Sequence, residues 1–285
     1  MQFFDLAYQK KHLTQISNFK SIRAALQLAE QAHAMQKRDN GTPYILHPIR
    51  AANYLYYNLI IQDPDLISAA LLHDIIEDTN IGLKTLEHKF GRKVSALVKT
   101  LTRRPNQTKL QKFKETLKQP KKIRLLKAVD WLDNLTETKL VRKRDKKYFR
   151  ILKEAETLYF PLAKSVSSQI AKDTVSVILS GSRRFSHRVY AACLKVPAGK
   201  ITTYKAIAQK LNTKAYRAIG QALRHNPFAP IVPCHRVVSS SGKIGGFQGK
   251  TKGKPVKQKI NILKKEGIAF SHTKIANFEQ AHYPF

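Results

Sequence analysis

Apolar residues in the first 165 positions recur every three or four residues, which is the spacing of a helix face and not of a strand. In 20–36, for example, Ile22, Leu26 and Ala29 fall on one face. The same spacing predicts helices over 44–59, 66–79, 85–102, 121–140 and 143–164, whereas 103–120 is polar and basic. Because no segment here alternates between apolar and polar residues, the first half is predicted to be all-α.

The chain changes character after residue 165. Charge density falls, and Ser180-Gly181-Ser182 has the composition of a linker. Further helices are predicted over 185–194, 203–211, 214–226 and 256–267, with a hairpin turn at Ser239–Gly242. Helix, helix, hairpin is the order of a winged helix-turn-helix. We therefore expect a multidomain chain, with an all-α domain at 1–165, a linker at 166–183, and a mainly α winged helix-turn-helix-like domain with a short β-hairpin wing at 184–285.

The net charge of +33 constrains the partner. Only Asp173, Glu266 and Glu279 are acidic after residue 165. This balance favours a polyanion, above all nucleic acid, although a generally basic proteome is the alternative explanation. The two cysteines lie far apart, which argues against a disulfide framework or a cysteine-based zinc site. With neither a membrane-length apolar run nor a signal peptide, we expect a cytoplasmic protein with no membrane partner.

A first candidate site lies in the most apolar predicted helix, where His73 and Asp74 are adjacent. Burying both without partners costs several kcal/mol, and a divalent ion such as Mn, Fe or Zn would satisfy them. Glu77 and Asp78 follow one helical turn later and could act on water beside such an ion. The alternative is a histidine that only hydrogen-bonds inside a core.

Further motifs accompany this pair: Ala32-His33, Gly41–Pro48, Ala69–Thr79, and Lys127–Asp130 with Asn134. Over about residues 20–160 the chain thus resembles the HD hydrolase domain of bacterial stringent-response enzymes. The resemblance implies an all-α fold that removes the 3′-pyrophosphate of guanosine tetraphosphate (ppGpp) with one divalent ion, usually manganese. Its implied metal ligands are His33, His73, Asp74 and Asp130, its water-activating residues are Glu77 and Asp78, and its nucleotide-binding residues are Arg38, Tyr44, Lys127 and Asn134.

A second candidate site is Pro233-Cys234-His235-Arg236-Val237. Thiolate is the nucleophilic form of cysteine, and neighbouring basic groups favour it. A buried and inert cysteine is the alternative for this pentapeptide alone. The flanking residues favour reactivity, and they are Phe185–Tyr190, Val196–Tyr204, Tyr216–Pro227, Pro233–Val238, Gly245–Phe247 and Leu263 with Glu266-Gly267.

These residues resemble the DNA-binding, active-site domain of the O6-alkylguanine-DNA alkyltransferases, which are methylated-DNA–protein-cysteine methyltransferases. The resemblance implies that Cys234 accepts an alkyl group from O6-alkylguanine in double-stranded DNA in one irreversible, cofactor-free transfer. It implies that His235 deprotonates the thiol through a water, that Glu266 orients His235, and that Asn226 braces the active-site turn. Phe247 replaces a tyrosine common in the family, so we expect slower transfer rather than none.

The resemblance also implies how DNA is held. Tyr204 would contact guanine and help rotate the nucleotide outward, and Arg217 would fill the vacated space, because a stacked base cannot reach a buried thiolate. Further expected DNA contacts are Lys200, Lys205, Arg224 and Arg236. The alternative for any single one is a solvated basic face. Two rival functions stay open: a protein that binds damaged guanine without transfer, and an HD domain that is a degenerate scaffold.

Overall fold

The computed structural model describes residues 5–16, 19–137, 146–180 and 182–285. The chain divides into two compact units, Met1–Val177 and Ile178–Phe285. It is helix-rich in both units, which confirms the predicted multidomain architecture. Among the described residues, no helix has both the length and the apolar character needed to cross a membrane.

The first unit is built from helices, as the apolar spacing predicts. They are α1 (Leu6–Ile16), α2 (Lys20–Ala32), α3 (Leu46–Asn53), α4 (Pro64–Leu72), α5 (Ile75–Asp78), α6 (Leu83–Leu101), α7 (Lys109–Leu117), α8 (Lys121–Glu137), α9 (Lys146–Glu154), α10 (Phe160–Val166) and α11 (Ser168–Leu179). π-Helical turns at Tyr54–Asn58 and Ala155–Tyr159 continue α3 and α9.

Helix α4 lies at the centre of this unit. Every residue from Leu66 to Leu72 is buried, and the helix packs against α2, α3, α6 and α8. Asp63 caps its first turn by accepting the backbone N–H groups of Asp65 and Leu66. The single helix expected over 66–79 is in fact two, because α4 ends at Leu72 and α5 begins at Ile75. His73 and Asp74 therefore lie in the turn between two helices, where both can reach the same point.

Two other segments differ from expectation. The polar stretch 103–120 contains α7, whose first turn is closed by a capping box between Thr108 and Gln111. The predicted linker 166–183 consists mostly of α11, and its Gly181 lies outside the described residues, as do residues 138–140 at the end of the predicted helix 121–140. The prediction that the first domain ends at 165 and the second begins at 184 remains a proposal.

The second unit contains five helices in its described residues, together with short strands. The helices are α12 (Phe185–Leu194), α13 (Tyr204–Lys210), α14 (Tyr216–Arg224), α15 (Lys254–Lys265) and α16 (Phe278–Ala281). The strands are β1 (Thr202–Thr203), β2 (Val237–Val238), β3 (Phe270–Ser271) and β4 (Lys274–Ile275). A 3₁₀ turn at Cys234–Arg236 leads directly into β2.

The β structure differs in detail from the hairpin expected around Ser239–Gly242. Strand β2 pairs in parallel with β1. The expected turn is present after it, since Ser239 N–H donates to Lys243 O (3.0 Å) and Gly242 N–H to Ser239 O (3.0 Å). The segment beyond this turn pairs with the C-terminal residues, since Ile244 N–H donates to Thr273 O and Ile275 N–H to Gly242 O. The antiparallel hairpin is β3–β4. Its position follows from burial, because Ile244 and Ile275 share one apolar cluster.

Candidate functional sites

Four acidic and imidazole side chains converge in the first unit. His47 Nε2 lies 3.1 Å from His73 Nε2, 3.3 Å from Asp130 Oδ1 and 3.5 Å from Asp74 Oδ2. His73 Nε2 lies 3.1 Å from Asp74 Oδ2 and 3.6 Å from Asp130 Oδ1. Helix α3 supplies His47, the turn after α4 supplies His73 and Asp74, and α8 supplies Asp130. Two imidazoles with two carboxylates form a donor set that suits a divalent transition metal.

The second nitrogen of each histidine has its own partner. His73 Nδ1 donates to the backbone carbonyl of Ala70 (2.8 Å), and His47 Nδ1 donates to Asp133 Oδ2 (2.6 Å). Both Nε2 atoms are thereby directed at the cluster, which is the arrangement metal-ligating histidines require.

The carboxylates also set the charge of the cluster. Burial lowers the pKa of His73, but Asp74 and Asp130 outweigh it and raise the pKa to about 9. Burial lowers the pKa of His47 as well, but its hydrogen bonds to Asp130, Asp133 and Asp74 outweigh burial and raise that pKa well above its ordinary value. The site thus favours positive charge, carried by a proton or by a metal ion, and these residues fit the ion that the sequence predicts.

His33 was expected as a ligand, and the structure places His47 there instead. Among the described residues, the cluster with all ligand atoms within 4.8 Å of one another is His47, His73 and Asp74. His33 lies elsewhere, because its Nδ1 is 2.7 Å from Gln36 Oε1 and its ring stacks on Tyr44. We therefore replace His33 by His47 in the ligand set. The sequence carried a signal for this, since His47 lies in the quoted motif Gly41–Pro48.

A cavity of about 720 Å³ opens beside Asp74 and Asp130. Its acidic wall also carries Glu77 and Asp78, and the hydroxyl of Tyr44 donates to both Asp74 (2.7 Å) and Asp78 (2.6 Å). The lining also carries two further acids, Asp39 and Glu137, and seven cations: Lys37, Arg38, Arg103, Lys109, Lys112, Lys127 and Arg150. Cations opposite a candidate metal centre are what a ligand with several phosphates requires.

All four expected nucleotide-binding residues line this cavity. Arg38 donates to Asn134 Oδ1 (2.6 Å), and Asn134 Nδ2 donates to Asp130 Oδ1 (2.6 Å). Lys127 Nζ lies 2.8 Å from Asp130 Oδ2, and the Arg38 guanidinium lies over the Tyr44 ring at 5.4 Å. The predicted water-activating and nucleotide-binding residues therefore share one cavity with two of the candidate ligands.

In the second unit, Cys234 lies in a braced turn. Asn226 spans the preceding loop, because its Nδ2 donates to Val232 O (3.1 Å) and its Oδ1 accepts from Phe228 N–H (3.0 Å). The N–H of Cys234 in turn donates to Val232 O (2.9 Å). Cys234 is half-buried, whereas Cys193 is fully buried and burial raises the pKa of its thiol. Cys234 is thus the cysteine that a substrate can reach.

Glu266 organises the groups beside Cys234. Its Oε1 lies 3.0 Å from His235 Nε2, and Arg236 binds the same carboxylate through Nε (2.9 Å) and Nη2 (2.6 Å). Arg236 Nη1 also donates to Val196 O (2.7 Å). Partial burial opposes these bonds, but they hold the pKa of Glu266 below its usual range. Arg236 was expected at the DNA surface, and this geometry makes it a partner of Glu266 instead.

Lys259 is a buried residue of this site that the sequence did not single out. Its Nζ donates to the carbonyls of Val237 (2.6 Å), Ile244 (2.8 Å) and Gly246 (3.2 Å). Burial lowers its pKa to about 8. Lys259 ties the loop after β2 to α15. Nothing in the sequence distinguished it from the other lysines of that helix.

The other expected DNA contacts differ in their surroundings. Lys205, Arg217 and Arg224 are exposed, and Arg224 packs against Gly249, where a Cβ would lie 2.7 Å from its Nε. Tyr204 is half-buried, and burial together with nearby Cys234 raises its pKa. Lys200 Nζ donates to Gln280 O (2.8 Å), so this side chain fastens the C-terminal segment.

The second unit matches known proteins. Residues 184–268 match the family described as "6-O-methylguanine DNA methyltransferase, DNA binding domain". A methylated-DNA–protein-cysteine methyltransferase of Methanosarcina barkeri is 33% identical over 137 residues, which are 48% of this chain and 74% of that protein. The chain belongs to the methylated-DNA–protein-cysteine methyltransferase family. The counterpart from Candida glabrata is 38% identical over 114 residues, 40% of this chain and 52% of that protein.

The methyltransferase part is fused to an HD domain, which matches residues 25–166. A guanosine-3′,5′-bis(diphosphate) 3′-pyrophosphohydrolase of Aquifex aeolicus is 34% identical over 152 residues, 50% of this chain. This chain spans 21% of that hydrolase, so the match concerns one of its parts. A solved metazoan protein, described as an ortholog of SpoT that hydrolyzes ppGpp, aligns with a TM-score of 0.50 and 25% identity over 56% of this chain and 94% of its own.

Proposed function

We propose that the methyltransferase unit repairs O6-alkylguanine in double-stranded DNA by moving the alkyl group to Cys234. The observation that supports this is the accessible Cys234 in a turn braced by Asn226, beside a His235–Glu266 pair. In the transfer, an S–C bond forms and the C–O6 bond breaks, and its electron pair leaves on guanine. The thiol proton passes through a water to His235. The raised pKa of Tyr204 keeps its hydroxyl protonated, so that it can donate a hydrogen bond to the departing base.

The test is the mass of the full-length protein after incubation with a duplex containing O6-methylguanine. We expect the protein to gain the mass of one methyl group per chain, and we expect peptide mapping to locate that group at Cys234. Cys193→Ser is the matched control and should accept the methyl group, whereas Cys234→Ser should not. Tight binding to the damaged duplex without a gain in mass would instead support a protein that binds damaged guanine without transfer.

We infer that the HD domain is a metal-dependent pyrophosphohydrolase of a guanine nucleotide such as ppGpp, with manganese as the expected ion. The convergence of His47, His73, Asp74 and Asp130 beside a cavity lined by seven lysine and arginine side chains supports this. An ion held by these residues would supply Lewis-acid chemistry that makes water more acidic and offsets phosphate charge. Glu77 and Asp78 would accept the proton of the attacking water. Arg38 and Lys127 would bind phosphate oxygens.

The test is release of pyrophosphate from ppGpp by the full-length protein with Mn²⁺ and after chelation. We expect hydrolysis to need the ion. His47→Ala and His73→Ala should abolish both hydrolysis and tight Mn²⁺ binding, whereas His33→Ala should keep Mn²⁺ binding. If the wild-type protein binds Mn²⁺ but releases pyrophosphate from no nucleotide tried, the result favours a degenerate scaffold. If His33→Ala loses the ion and His47→Ala keeps it, the revised ligand set is wrong.

A further inference from the structure

His47 is fully buried, and the side chain of Asp133 contacts its ring at Nδ1. Its Nδ1 lies 2.6 Å from Asp133 Oδ2. An ionised carboxylate only accepts hydrogen bonds, so Nδ1 must carry the proton. The neutral ring then presents its lone pair at Nε2, which is the atom that faces His73, Asp74 and Asp130.

The other candidate histidine is held differently. His73 Nδ1 donates to Ala70 O, three residues earlier in the last turn of α4, so local backbone geometry fixes that ring. The anchor of His47 comes from α8, which is 86 residues away in sequence. The orientation of His47 therefore depends on a tertiary contact that a substitution can remove.

Asp133 is itself clamped by Arg50. The guanidinium donates to both carboxylate oxygens, with Nε 2.7 Å from Oδ1 and Nη2 2.7 Å from Oδ2. Arg50 lies one turn after His47 on α3, and its Nη2 also reaches Glu137 Oε1 at 2.5 Å, one turn after Asp133 on α8. Asp133 and Arg50 are 7% and 4% exposed. Because burying such a pair costs desolvation energy that apolar residues would not, stability alone explains it poorly.

We propose that Asp133 is a positioning residue that holds His47 with Nε2 directed at the metal ion and so sets the metal affinity of the HD domain. Arg50 holds the Asp133 carboxylate in place through its two hydrogen bonds. The inference rests on the proposed metal-dependent function of this cluster. Neither residue touches the reacting atoms, since both act through the ring of His47.

The test is calorimetric titration of the full-length protein with Mn²⁺ alone, well below the unfolding temperature. We expect Asp133→Ala to weaken binding by about 10- to 100-fold. Asp133→Asn keeps an acceptor oxygen but not the charge, so its affinity should fall between wild type and Asp133→Ala. In ¹⁵N-histidine-labelled, Zn²⁺-loaded protein, Asp133→Ala should also shift the His47 nitrogen signals and leave those of His73 in place.

Asp63→Asn is the matched control. Asp63 lies at the first turn of α4, at the opposite end of that helix from His73. Its carboxylate caps α4 and pairs with Lys122 at 2.6 Å. The substitution should therefore lower stability without changing the contacts of the cluster. Its Mn²⁺ affinity should equal that of wild type. Wild-type affinity in both Asp133 variants overturns the inference, as does an equal loss in Asp63→Asn. A wild-type protein that binds no Mn²⁺ overturns the proposed hydrolase together with it.

Discussion

At the scale of single residues, Glu266 determines what His235 can do. Burial lowers the pKa of His235 below its ordinary value, against the opposing effect of Glu266. Its imidazole is therefore neutral, and able to accept a proton, at neutral pH. Glu266 stays ionised because Arg236 binds it through two nitrogens. The pair is thus set for base catalysis without any change in the charge of Glu266.

This charge state predicts the pH dependence of methyl transfer. As pH falls, the rate should stay level through the ordinary histidine pKa of about 6.5 and decline only below it. The decline occurs at a lower pH than for an ordinary histidine, because the pKa of His235 is lowered. The measurement is the single-turnover rate of methyl transfer between about pH 5 and 8. His235→Gln should slow transfer by about a hundredfold and remove the decline. A decline centred at or above 6.5 would contradict the lowered pKa.

At the scale of elements, the C-terminal hairpin β3–β4 supports the loop after β2. The hairpin lies beyond the matched family region 184–268. Ile275 is 6% exposed in an apolar cluster with Ile244, and backbone bonds join the hairpin to Gly242 and Ile244. Lys259 also holds this loop, because its Nζ donates to the carbonyls of Ile244 and Gly246. Its conformation beside Cys234 therefore depends on packing from outside the recognised motif.

We expect Ile275→Ala to lower the free energy of unfolding by about 2–4 kcal/mol, because it opens a cavity in this cluster. Methyl transfer should also slow, since the loop beside Cys234 loses its support. Lys274→Ala is the matched control on the exposed face of the same strand, and it should change stability by less than about 0.5 kcal/mol. Denaturant unfolding and single-turnover transfer measure the two effects. Equal effects of the two substitutions would argue against a supporting role for the hairpin.

The elements also show how far the sequence predicts this protein. Apolar spacing predicted the helices well, because each helix buries one face. It predicted one helix over 66–79, however, where the structure has two, α4 and α5. The break between α4 and α5 places the side chains of both His73 and Asp74 at the cluster. The motif Gly41–Pro48 contains His47, but the choice between His33 and His47 required the structure, since the packing of α3 on α4 and α8 decides which ring faces His73. The same holds for Asp133 and Lys259, whose partners are distant in sequence.

At the scale of the whole molecule, the net charge of +33 and the scarcity of acids after residue 165 predict how DNA binding responds to salt. Contact with about six phosphates would weaken binding about a thousandfold between roughly 50 and 200 mM salt. Removing the exposed Lys205 or Arg224 should lower the slope of log affinity against log salt by about one. Lys89→Ala, an exposed lysine of α6, is the matched control and should leave the slope unchanged. A flat salt dependence in the wild-type protein would exclude phosphate contacts as the main source of affinity.

The two candidate sites draw their residues from different units, which predicts that each can be inactivated alone. The hydrogen bonds of His47 and His73 described above lie within Met1–Val177, and those of His235 and Glu266 lie within Ile178–Phe285. Substitutions at well-separated sites usually act additively. In the full-length protein, His73→Ala should therefore abolish pyrophosphate release and leave the methyl-transfer rate within about twofold of wild type. Cys234→Ala should do the reverse. Loss of both activities from either substitution, in a protein that still unfolds cooperatively, would show that the two units are energetically coupled.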